Sequence, residues 1–180
     1  MSEPRGVVSS YARAMGGKRT RTIEFDDPEL TTAGAVGKPG IEFLRELIAG
    51  TVPPAPLQAT LGFQLVEVTD GFARFELSPG EHLYNSASVV HGGVAATLLE
   101  SAMSAAVMTT LDAATGHTTA MLTVHLTRAI TARTAKVSAE GWVVHRGSRL
   151  VTAEGRLTDE QGRLLAHGSA TCALVERVAG

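Results

Sequence analysis

The chain has 180 residues, 44% of them apolar and 19% charged, which suits one domain with a full core better than two small ones. Its 16 Lys and Arg against 18 Asp and Glu leave a formal charge of -2, so no field gathers nucleic acid or an anionic membrane. The single Cys172 excludes an internal disulfide framework and suits a reducing cytoplasm, the expected location; no run approaches the roughly 18 apolar residues of a membrane helix, and the start MSEPRGVVSSYARAMGG lacks a secretory apolar block.

Residues 1 to about 40 show no sustained period apart from an extended piece at Arg21 to Phe25, and are expected to form a loosely ordered N-terminal arm; the main domain runs from 41 to 180. The charges Lys18, Arg19 and Arg21 in this arm are read as a solvated face. IEFLRELIAG places Phe43, Leu44, Leu47 and Ile48 at helical spacings before Gly50, and Val52 to Pro56 then breaks the chain. Gly62 to Val68 and Phe72 to Leu77 flank Asp70-Gly71, a hairpin signal. Gly92 to Leu111 has the length and the Ala, Leu and Met content of a long helix. Period two follows: Ala120, Leu122, Val124 and Leu126 alternate with Thr119, Met121, Thr123 and His125, and the pattern recurs over Ala135 to His145, Leu150 to Thr158 and Leu164 to Val175. Two strands, one long helix and then a meander of four strands argue for an antiparallel α+β sheet.

From Val94 to Met108 the helix is apolar on every side, broken by small hydroxyls and one charge, Glu100, and a helix of that kind is expected to be wrapped by the sheet. A carboxylate there is either tied by a hydrogen bond on a short exposed stripe or is a partly desolvated base or nucleophile. Before the helix stands the stretch from His82 to Asn85 and on to His91-Gly92-Gly93. A glycine pair opening a helix either makes a tight turn or offers bare N–H groups that polarise a bound oxygen. His91 is either a cap or a participant. Gly92 and Glu100 are eight residues apart, about 12 Å along a helix, whereas attack needs roughly 3 to 3.5 Å. Two groups of one chain so spaced do not meet on one substrate, so the acid is expected from a second copy of the helix.

With Asn85, His91-Gly92-Gly93 and Glu100 at these spacings and the β-pattern behind them, the chain resembles the hotdog-fold acyl-CoA thioesterases of the phenylacetic-acid-degradation type over Leu57 to Glu176. The resemblance implies a long central helix wrapped by an antiparallel sheet, hydrolysis of acyl-CoA, no cofactor beyond the CoA of the substrate, no metal, and a homodimer as the minimum active unit within a dimer of dimers. By position it implies Glu100 as catalytic acid and Gly92 as the amide that polarises the thioester carbonyl. Asn85 matches a residue that helps position the thioester or the water, His91 matches the histidine of the family's HGG motif, and Thr119 matches a hydroxyl that holds the attacking water. Gly93, Arg128 and the basic turn His145, Arg146 and Arg149 are expected at the CoA end. Relatives carry Asp or Glu at the acid, which leaves direct attack and activation of water both open. The competing readings are a non-hydrolytic dehydratase, for which His91 is available, and an acyl-CoA-binding module. The chain has no G-x-S-x-G, no phosphate-binding glycine loop and no H-E-x-x-H.

Overall fold

The computed structural model describes residues 17–177, so residues 1–16 of the expected arm lie outside the described residues. Within the remainder of the arm a helix forms, α1 (Pro28–Ala35). Asp27 accepts the Glu29 N–H at 3.0 Å and Pro28 occupies the first turn, where its missing N–H costs nothing. This helix buries no residue, and its polar sequence carries no apolar stripe for periodicity to find. It is fastened from outside itself, by Thr31 Oγ1 donating to the Pro53 carbonyl and by the Arg177 guanidinium donating to the Ala35 and Lys38 carbonyls.

Helix α2 (Gly40–Ala49) buries Phe43 and Leu44, in keeping with its spacing. The proline-rich stretch after it ends in a further short helix, α3 (Pro56–Leu61), because Pro56 begins that helix rather than interrupting one. Strands β1 (Phe63–Thr69) and β2 (Phe72–Leu77) form the expected hairpin. Gly71 at the turn has φ of 70°, a conformation other residues avoid, and its N–H donates to Thr109 Oγ1 at 2.8 Å, which ties the hairpin to the long helix.

That helix, α4 (Gly92–Thr109), is followed by β3 (Thr115–Leu126), β4 (Val137–Arg146), β5 (Leu150–Asp159) and β6 (Leu164–Glu176). All pairings are antiparallel, in the order β1-β2-β4-β5-β6-β3. The expected four-strand meander is therefore corrected: only β4, β5 and β6 follow one another, while β2 pairs with β4 and β3 lies at the far edge against β6. Alternation reports which residues share a face but not which strands are neighbours, and the 127–136 connection is too long for a hairpin.

The sheet curls around α4. Leu98, Leu99, Ala102, Met103, Ala106 and Val107 are fully buried against an inner face whose centre is lined by Ala73, Ala139, Gly141 and Ala153. At Gly141 the approach is closest: a methyl group there would collide with the Ala102 carbonyl and the Met103 N–H. The expectation that α4 is buried on every side also needs correction. Ala96, Thr97, Glu100, Ser101, Ser104 and Met108 remain partly exposed, a stripe that the sheet of one chain does not reach. The outer face of the sheet is polar, with the ion pairs Glu67–Arg74 and Glu140–Arg156 in line with a stacked His125–His167 pair. No helix among the described residues is long and apolar enough to cross a membrane.

Candidate active site

The start of α4 is built by the loop before it. Asn85 Oδ1 accepts the N–H groups of Ala87 and Val89 at 2.8 and 3.4 Å, while the Asn85 N–H donates to the Val89 carbonyl, so one side chain closes the loop on itself. Val90 N–H then donates to the Ile130 carbonyl and His91 N–H to that of Leu83, which aims the chain into the helix. His91 is the N-cap: its Nδ1 accepts the Gly93 N–H at 2.9 Å. An accepting Nδ1 places the proton of a neutral imidazole on Nε2.

This cap separates the two glycines. The Gly93 N–H, expected at the CoA end, is occupied by His91, whereas the Gly92 N–H has no acceptor among the described residues. Gly92 opens into a cleft of about 270 Å³ that also holds Asn85, His91 and Arg128, with Leu126 and Ile130 as apolar walls. An unpaired amide at the positive end of an eighteen-residue helix is a donor for developing negative charge on oxygen.

Glu100 stands two turns further along, outside that cleft. It is half-buried, and Thr119 Oγ1 donates to its Oε1 at 2.8 Å. Strict alternation over β3 would turn Thr119 outward with Met121 and Thr123. The register instead shifts between Thr119 and Met121, leaving Ala120 as an extra residue. Such a bulge resets the facing of one part of a strand relative to the other. Thr119 consequently points inward above Cys172, together with Leu122, Val124 and Leu126. Burial, reinforced by the Glu100 charge, pushes the Cys172 thiol up, so it remains a protonated packing group.

The same helix stripe carries a pair that the sequence reading did not single out, Ser104 Oγ against His117 Nε2 at 2.8 Å. Its signal is available in the chain, since Ser104 is four residues after Glu100 on a helix and His117 two before Thr119 on a strand.

The basic turn is elsewhere. His145, Arg146 and Arg149 are exposed, and Arg146 borders a separate hollow of about 590 Å³ with Thr115, Gly147 and Ser148. Thr115 begins β3 and Leu126 ends it, a distance of about 36 Å at 3.3 Å per residue. One chain thus holds Arg128 and Arg146 at opposite ends of its edge strand. No three His, Cys, Asp or Glu side chains among the described residues converge as metal ligands. A larger hollow of about 800 Å³ near Ala35, Phe43 and Arg177 has no carboxylate in its lining.

Over residues 87–166, which include Gly92, Glu100 and Thr119, the chain matches the sequence model of the thioesterase superfamily. No curated protein matches it. Among solved structures, a putative thioesterase from Ralstonia eutropha, a phenylacetic acid degradation-related protein, is 22% identical with a TM-score of 0.66, covering 72% of this chain and 98% of its own. The E. coli PaaI protein of the phenylacetic acid degradation operon is 18% identical with a TM-score of 0.60, covering 69% and 85%. A thioesterase family protein from Silicibacter pomeroyi is 20% identical with a TM-score of 0.66, covering 74% and 99%. The fold is that of these proteins, the hotdog fold, and the superfamily match supports thioester hydrolysis as the general chemistry.

Proposed function

From a chain that carries the hotdog fold, we infer hydrolysis of acyl-CoA thioesters at a site shared by two copies. The observation that carries this reading is the disposition of two groups on one helix: a free Gly92 N–H in its cleft, and a Thr119-bound Glu100 about 12 Å further on along α4. Neither completes a hydrolytic site alone.

A second copy supplies the missing half. Strand β3 is a twelve-residue edge that exposes Met121, Leu122 and Leu126, the kind of edge that pairs with another strand unless it is blunted. Antiparallel pairing of two such edges brings the Thr115 end of one β3 beside the Leu126 end of the other. Glu100 of the partner subunit then approaches the Gly92 cleft, and the partner subunit's basic turn approaches Arg128. In such a dimer His145, Arg146 and Arg149 would lie at the CoA end, with arginine forks suited to its phosphates. A dimer of dimers is compatible with this unit, and no cofactor is required because CoA arrives with the substrate.

In the reaction the thioester carbonyl oxygen accepts the Gly92 N–H. Glu100 takes a proton from water as the water oxygen bonds to the carbonyl carbon, and negative charge collects on the carbonyl oxygen beside the amide. Collapse re-forms the C=O bond and breaks the C–S bond, and the departing sulfur takes the proton, giving carboxylic acid and CoA thiol. The Thr119 hydrogen bond favours this route over direct attack, since it fixes Oε1 and leaves Oε2 for water. A dehydratase would need a histidine set beside the acid, and His91 lines the cleft that Glu100 of the partner subunit approaches in this dimer, so thiol release is what separates the two readings.

Thiol release from a panel of acyl-CoAs tests the reading. Turnover by the wild type, lost in Glu100→Ala with CoA affinity retained, is the expected result; CoA binding with no thiol release from any substrate defeats it in favour of a binding module. In labelled water, label entering the Glu100 carboxylate in the first turnover would replace the general-base route with an anhydride.

A further inference from the structure

Glu100–Thr119 and Ser104–His117 are two rungs between α4 and β3. Their spacing matches on both sides, about 6 Å for four helix residues and about 6.6 Å for two strand residues. The second rung is not required by the helix. The two threonines of α4 bond back to their own helix: Thr97 donates to the Gly93 carbonyl at 2.9 Å and Thr109 to that of Ala106 at 2.7 Å. Ser104 turns to the strand instead, on the stripe left open beside Glu100.

Glu100 has an oxygen to spare there. Oε1 accepts from Thr119, and Oε2 has no partner among the described residues. Ser104 lies one turn on, where side chains of the i and i+4 positions are neighbours about 5 to 6 Å apart. That gap admits one water. We propose that His117 is a positioning residue for the hydrolysis inferred above, holding Ser104 Oγ so that this hydroxyl and Oε2 of Glu100 grip the attacking water between them.

His117 suits the part. Burial first, and the Arg177 guanidinium second, hold its imidazole below the ordinary value, so the ring is uncharged at neutral pH and has one donating and one accepting nitrogen. The charged group that acts on it is Arg177, just after β6.

The inference rests on thioester hydrolysis, and the test separates the two. Thiol release is measured for the wild type, Glu100→Ala, Ser104→Ala, His117→Leu, His117→Gln and the Ser104→Ala/His117→Leu pair, with thermal unfolding of each. Ser104→Ala and His117→Leu are each expected to lower kcat about tenfold, the scale of one hydrogen bond, with KM within about twofold. The double variant should be no slower than the slower single. His117→Gln, whose amide nitrogen takes the place of Nε2, should recover most of the rate. If His117→Leu fails to fold, Ser104→Ala and His117→Gln still decide. Unchanged kcat in Ser104→Ala, a change confined to KM, or multiplicative losses in the double variant would overturn the role of His117 while Glu100-dependent hydrolysis stands. No hydrolysis by the wild type, or hydrolysis indifferent to Glu100→Ala, overturns both.

Discussion

Thr119 Oγ1 reaches Glu100 Oε1 at 2.8 Å only because β3 carries one residue more than its partner strand between Thr119 and Met121. The bond orients the carboxylate, and hydrogen bonds to charged groups are worth about 1.5 to 3 kcal/mol. Thr119→Val, which keeps the shape and removes the hydroxyl, should therefore lower kcat about 10- to 100-fold, and Thr119→Ser should restore it. Steady-state thiol release measures both.

Gly92→Ala separates folding from chemistry. The added methyl would lie 2.5 Å from Leu126 Cδ1, the mobile tip of an exposed side chain that can swing aside. Thermal unfolding should move by only a few degrees. The displaced leucine narrows the approach to the Gly92 amide, so kcat/KM should fall at least about tenfold.

Gly141→Ala has the opposite profile. Its methyl would meet the backbone of Ala102 and Met103, which cannot move without shifting α4. Overpacking of this kind costs about 1 to 3 kcal/mol or more. A marked drop in the denaturant midpoint, far from any proposed reacting group, is the expected outcome.

Leu122→Lys tests the proposal that two copies share the site. Leu122 is 39% exposed on the inward side of the edge strand, and a lysine there should keep two such edges apart. Light scattering should report a folded monomer, and that monomer should release no thiol. A folded monomer with full turnover would place the whole reaction in one chain.

Acid should weaken the fold through His117. Burial and Arg177 keep its native imidazole below the ordinary value, whereas the unfolded chain takes up the proton near pH 6.5. The unfolded state then binds more protons, so stability declines as pH drops below about 6.5 and levels off below the native value. His82, lowered by burial and by Arg21, acts in the same direction. Urea unfolding between pH 7.5 and 5 should show this decline, with a shallower slope in His117→Gln.

Much of this architecture is legible in the residues. The Asp70-Gly71 hairpin and the apolar length from Gly92 onward announce themselves, because turn chemistry and burial act locally. Strand order is not local, and the alternation of β3 is the same beside β6 as beside β4. Helices α1 and α3 escape notice because prolines at their first turns look like breaks and neither buries a residue. At the candidate site, Gly92, Asn85 and Glu100 stand out in the sequence by type and spacing. The inward turn of Thr119 is hidden by the bulge, and His117 is inconspicuous until a strand position and a helix position are compared.

Ala120 contributes nothing to the site through its own side chain; it contributes by being present. Insertions and deletions in this stretch should consequently be felt more sharply than substitutions. Losing that one residue would send Thr119 to the opposite side of the sheet and strand Glu100 without its donor, though every other amino acid kept its identity.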